Sequence, residues 1–232
     1  MDPRALRAYQ EALSSLVAGA DRATATLFGR LVRSADPVEV REALELAVPE
    51  LVERYGQVAG ELSAEWFTAL DPSDGYRPTL PAPVPGEQVA RSAAWAAQPV
   101  FTGSPGVALS RLSGSVERHV RNAARQTIVH NANQLGVPFA RVARADGCAF
   151  CRMLASRGFV YEDDKTAGGV TGSDYHDACR CVTLPKRRGI NDSDIPNLET
   201  YRDQYYLARS DIDNTMSKEA LRTILSRMSA AQ

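Results

Sequence analysis

The sequence predicts a mainly α protein of the α+β class. Long N-terminal helices lead through a proline-rich linker to a small C-terminal lobe, with a short β-sheet and a Cys/His cluster, and terminal helices follow. Three observations predict this. Apolar residues recur at helical spacing from Leu6 to Phe67. Prolines then crowd the stretch from Pro72 to Pro85. Finally, all 4 cysteines of the 232-residue chain lie between Cys148 and Cys181, among short strand-like runs. The implied organisation is a helical hairpin over 1–70, a linker over 71–86 and a C-terminal domain over 87–232, with the Cys/His lobe at 138–185.

The first helix is expected over residues 3 to 33, where Leu6, Tyr9, Leu13, Leu16, Val17, Leu27 and Leu31 mark its apolar stripe. Asp36-Pro37 is a start signal, a capping carboxylate followed by proline at the first helical position. A second helix then runs to Leu70 through Val40, Leu44, Val48, Leu51, Val52, Tyr55, Leu62, Trp66 and Phe67. Pro49 is expected to kink or divide it, because proline removes a donor and crowds the preceding turn. A short break between two long helices implies an antiparallel pair. Trp66 and Phe67 read as core rather than as a ligand platform.

The linker prolines Pro72, Pro78, Pro81, Pro83 and Pro85 predict a stiff, extended segment suited to lying across another surface. A short helix follows over Glu87 to Ala97. Ser104-Pro105 repeats the cap-then-proline signal and opens a helix to about Leu135. Its polar face carries Arg111, Arg118, Arg121 and Arg125, a candidate contact surface for phosphates or for acidic partner residues, or simply a solvated or internally paired face. Lone helix histidines such as His119 and His130 read as packing or surface residues. Strands are expected at Pro138 to Ala145, Phe159 to Tyr161 and Arg180 to Leu184, with a short helix from the C-x-x-C turn to Ser156. Terminal helices are expected over Asn197 to Ser210 and Lys218 to Met228, the latter capped by Ser217.

The cysteines carry the chemistry. Cys148-Ala-Phe-Cys151 is a C-x-x-C turn, and His176, Cys179 and Cys181 form H-x-x-C-x-C. Thiolate and imidazole in two separate turns are the ligands of a tetrahedral zinc site, and a closed shell makes such a site structural. Five candidates compete for four positions: Cys148, Cys151 and Cys179, with either His176 or Cys181 as the fourth. The metal would tie together two turns separated by the loop of Gly168, Gly169 and Gly172. Two disulfides, a redox pair and plain thiol packing are the competing readings. The start Met1-Asp-Pro-Arg lacks the apolar core of a signal peptide, which argues for a reducing compartment and against disulfides. A redox C-x-x-C belongs to a βαβ context that the sequence does not suggest. A Cys179–His176 nucleophile pair and a cation bound by Asp163, Asp164 and Asp174 are weaker readings.

Composition excludes some classes. Net charge is −1, so there is no global signature of polyanion binding. No uninterrupted apolar run reaches the roughly 18 to 20 residues of a membrane helix. A Gly-x-Ser-x-Gly elbow, a phosphate-binding glycine loop and His-Glu-x-x-His are all missing from the sequence. The expectation is therefore that the protein is not an enzyme.

Three segments together resemble a known family: Cys148-Ala-Phe-Cys151, Leu154-Ala-Ser-Arg-Gly158-Phe-Val-Tyr161 and Tyr175-His-Asp-Ala-Cys-Arg-Cys181-Val-Thr-Leu-Pro185. They are similar to the end of the phage Mu F-like minor head proteins, nearest to those encoded beside the portal gene in actinobacterial tailed phages. The specific likeness covers Arg141 to Pro185, and Asp146 supplies the family's acidic residue before the first cysteine. A looser likeness in the helix ending at Trp66-Phe67 and Leu70 extends it to most of the chain. The resemblance implies that residues 87–232 are a head-morphogenesis domain. It implies a minor capsid protein acting at or near the portal inside the head, present first in the host cytoplasm and then in the virion. Its partners would be the portal protein, with major capsid or scaffold protein and packaged DNA as further ones, and a role in DNA packaging or ejection follows from that position. The alternative reading is a zinc-stabilised nucleic-acid-binding or nuclease-like module.

Overall fold

The computed structural model describes residues 1–162, 179–212 and 217–230. Contacts group them into two compact units. One comprises residues 2–130, and the other Met1 with the described residues from 131 onward.

The first unit is helical. Helix α1 (Pro3–Ser34) opens where the Asp2 carboxylate accepts from the Arg4 amide, with proline at its first position. It buries Leu6, Tyr9, Leu13, Val17, Ala20, Thr24 and Phe28, so the inward stripe ends on Phe28 rather than on Leu27 and Leu31. Helix α2 (Pro37–Leu70) starts with a capping box: Asp36 accepts from the Val38 and Glu39 amides, and Glu39 accepts from the Asp36 amide. Pro49 lies inside an α2 that is unbroken, so the expected division does not occur. One missing donor is tolerated because Val48 and Val52 on either side are buried and hold the helix to its neighbours.

Helices α1 and α2 run antiparallel, bringing Tyr9 near the start of one against Trp66 near the end of the other. Their rings stack at 4.2 Å between centroids, and the Tyr9 and Ser63 hydroxyls hydrogen-bond at 2.8 Å. Trp66 and Phe67 are buried core residues, as the sequence suggests. The proline-rich stretch has no regular structure, and its Leu80 lies over Gly60 and Thr127. Helix α3 (Gly86–Ala97) and a 3-10 turn (Gln98–Thr102) lead to helix α4 (Pro105–Gln134). Helices α2 and α4 approach closely where Gly56 faces Ala123 and Gly60 faces Thr127.

The second unit holds the lobe. Strand β1 (Phe139–Val142) pairs antiparallel with β2 (Val182–Pro185), from Phe139 opposite Pro185 to Val142 opposite Val182. The expected Phe159–Tyr161 strand is reduced to a single bridge between Tyr161 and Phe139. All four residues of β1 are buried. Helix α5 (Ala149–Ala155) follows the C-x-x-C turn, and α6 (Leu198–Ala208) and α7 (Lys218–Ala230) pack against it. Their shared core is Ala149, Met153, Leu154, Ala208, Ile224 and Met228. Ser217 caps α7 by accepting from the Ala220 amide. Buried Arg152 on α5 ties both terminal helices down, donating to Gln204 at 2.8 Å and to the Met228 carbonyl at 2.6 Å.

Candidate metal centre

The ladder explains why the thiols meet. In an antiparallel pair, the end of one strand lies beside the start of the other. Val142 ends β1 and faces Val182, which starts β2. The chain leaving β1 turns within a few residues into Cys148, while the chain entering β2 passes through Cys179 and Cys181. Both cysteine turns are thus at one end of the sheet. The first turn is tight: the Gly147 amide donates to the Arg144 carbonyl, and a Cβ at Gly147 would stand 2.9 Å from that oxygen. On the surface Asp146 joins the two arms, pairing with Arg144 at 3.2 Å and Arg180 at 3.7 Å. Such exposed pairs contribute at most about 1 kcal/mol.

Cys148 caps α5, its sulfur accepting from the Cys151 amide at 3.5 Å. Cys151 in the first turn of α5 is buried, and so are Cys179 and Cys181. The Cys151 and Cys179 sulfurs are 3.4 Å apart and those of Cys179 and Cys181 3.1 Å, with all three within 4.8 Å of one another. Cys148 is exposed, and its side chain hydrogen-bonds that of Cys151. Contact with Cys148, then with Cys179 and Cys181, together with burial, pushes the Cys151 thiol well above its ordinary range.

The donor set fits a soft metal. Tetrahedral bonds of about 2.3 Å place thiolate sulfurs about 3.8 Å apart, somewhat wider than the 3.4 Å and 3.1 Å separations seen here. Three buried sulfurs that converge this closely could hold a metal ion. Of the five candidates, Cys151, Cys179 and Cys181 come together, and Cys148 adjoins them. His176 lies outside the described residues, as do Gly168, Gly169, Gly172, Asp163, Asp164 and Asp174.

Sequence reasoning missed Arg141. Its side chain is fully buried, and its Nη2 donates to the Cys181 sulfur at 3.0 Å and to the Cys179 sulfur at 3.8 Å. A signal was available. Residues two apart on a strand share a face, which puts Arg141 on the same side as the apolar Phe139.

The arginine stripe of α4 is partly buried and partly paired within the protein. Arg121 and Arg125 are buried, Arg121 pairing with Glu117 at 2.8 Å and Arg125 donating to Asn122 at 2.9 Å. Arg111 stacks on Trp95 at 4.8 Å. Arg111 and Arg118 are half-buried. The four side chains do not form one solvent-facing row, because one edge of the helix is turned into the protein. His119 is buried and close to the Ser92 hydroxyl, and His130 bonds Thr79.

Against known proteins, the model of the VG15 protein family matches residues 1–208. This chain belongs to the VG15 family. It is a viral, phage-encoded family, which agrees with the phage origin expected from the cysteine motifs. The match covers the helical unit, both cysteine turns and α6. No curated protein and no solved structure matches the chain. Among the described residues, no helix is long and apolar enough to cross a membrane.

Proposed function

We propose that this phage protein is a minor head protein that acts at or near the portal inside the capsid during assembly, without catalytic activity. The Cys/His lobe is a rigid module held by one structural zinc, and the helical unit is the docking element. Its partner is the portal protein, with major capsid or scaffold protein as a second. The observation that carries the reading is the convergence of Cys151, Cys179 and Cys181 at the end of the β1–β2 ladder, within the motif that resembles the Mu F-like proteins. Membership of a phage family over residues 1–208 supports it. The nucleic-acid reading has less support, since Arg121 and Arg125 are buried.

Cys181 is favoured over His176 as a ligand because its sulfur lies in the buried cluster. With zinc bound, the residues that would hold it are Cys151, Cys179 and Cys181, with Cys148 adjacent to complete the set. Zinc would supply structural cross-linking of the two turns and no reaction step.

The deciding experiment is mass spectrometry of purified virions and proheads with pull-down on the portal protein. The protein is expected in both particles and bound to portal. Its absence from all three would sink the assignment. In parallel, elemental analysis of natively purified protein should give one zinc per chain, lost in Cys181→Ala and retained in His176→Ala.

A further inference from the structure

We propose that Arg141 is a positioning residue of this centre: its guanidinium directs the Cys181 and Cys179 sulfurs toward a soft divalent cation and protects them from electrophiles. The proposal rests on the metal reading above and adds the residue that directs its sulfurs.

The geometry is specific. The side chain is fully buried, and one terminal nitrogen reaches two sulfurs, at 3.0 Å and 3.8 Å. A thiol is a weak acceptor, whereas an anionic sulfur accepts from a cation far more strongly. Guanidinium is always charged and presents its donors in a fixed plane. A divalent ion bound by four thiolates keeps two surplus negative charges, and one buried cation lowers that surplus. Hydrogen bonding to a ligating sulfur also fixes its direction and draws electron density from it, which slows attack by electrophiles.

The sheet supplies the aim. Arg141 pairs with Thr183 across the ladder, two residues from Cys181 along the chain. The register that brings the cysteine turns together therefore also brings the guanidinium to their sulfurs. The guanidinium carbon also lies over the Phe150 ring, 6.0 Å from its centroid. A lysine would offer a point charge without the planar fork of donors, so replacement by lysine keeps the charge and loses the direction.

The test compares wild type, Arg141→Lys and Arg141→Met after zinc loading, with circular dichroism to report folding. Two readouts are taken: zinc transfer to a colorimetric chelator, and the order in which N-ethylmaleimide alkylates each cysteine, read by mass spectrometry. Partners that orient metal ligands typically change metal affinity about 10- to 100-fold. Arg141→Met is expected to release zinc faster by that factor, with Cys181 and Cys179 alkylated ahead of Cys151, and Arg141→Lys to fall between. A folded Arg141→Met with wild-type release and wild-type alkylation order overturns the role of Arg141. If Arg141→Met does not fold, Arg141→Lys decides, and wild-type behaviour in it overturns the role equally. Wild-type protein that takes up neither zinc nor cadmium sinks the metal reading itself, a distinct result visible before any variant is made.

Discussion

At the scale of single residues, some buried polar groups are held by specific partners. Tyr9 shows this in the helical unit. Its ring stacks on Trp66 and its hydroxyl bonds Ser63, while burial pushes the phenol up to about 12 despite the opposing effects of that hydrogen bond, Arg125 and Arg121. The unfolded phenol titrates near 10. Between those values the folded state binds the extra proton, so stability falls as pH rises. The contribution is fully present below about pH 10 and lost through about pH 12, and two pH units correspond to about 3 kcal/mol. Urea midpoints at pH 8 and pH 11 should therefore diverge in wild type. In Tyr9→Phe the divergence should shrink, after a pH-independent loss of about 1 kcal/mol for the missing hydrogen bond. An equal alkaline loss in both proteins would refute this account of Tyr9.

At the scale of elements, close packing of α2 on α4 depends on residues without side chains. A Cβ on Gly60 would stand 3.1 Å from Leu80 and 3.2 Å from Thr127, and one on Gly56 3.4 Å from Ala123. A larger side chain must push the helices and the linker apart. Gly60→Leu is expected to destabilise the protein by about 1–3 kcal/mol through overpacking, read as a lower urea midpoint with an unchanged slope. Gly106→Leu is the control: nothing lies within 4 Å of a Cβ there, so its midpoint should move far less. Equal shifts in the two variants would mean that helix propensity alone is being measured. In the second unit the same logic runs through α5, whose Met153 and Leu154 share a core with Ile224 and Met228 of α7. The terminal helices thus brace the helix that carries Cys151.

At the scale of the whole molecule, the two compact units have different sources of stability. Residues 2–130 bury long apolar stripes, Leu13 and Leu44 among them, each worth about 2 kcal/mol when fully buried. The lobe has a short ladder of four pairs and a small helical core, the situation in which a metal contributes most to folding. Hydrogen exchange followed by mass spectrometry, with and without a zinc chelator, should separate them. Protection should drop across 139–155 and 182–185, while peptides covering Tyr9 and Trp66 stay unchanged. Uniform loss across both units, or no change in either, would contradict a metal-braced lobe.

How much of this was legible in the sequence follows from the range of the interactions involved. Helix boundaries were readable because caps and proline starts act over three or four residues: Asp36-Pro37 and Ser104-Pro105 mark α2 and α4. The cysteine spacing announced a soft-ligand cluster for the same reason, since C-x-x-C and C-x-C are local turns. The family, too, was approached through local motifs. What the sequence left open required residues far apart in the chain to meet. Whether Arg121 and Arg125 face water depends on what packs against α4, and the i, i+4 spacing of arginines is the same in either case. Whether Pro49 breaks α2 depends on tertiary burial of Val48 and Val52 rather than on the lost donor. The convergence of Cys151, Cys179 and Cys181, and the guanidinium of Arg141 upon them, is set by one antiparallel register, Val142 against Val182. A periodic pattern states which face a side chain takes, and only strand pairing states what that face meets.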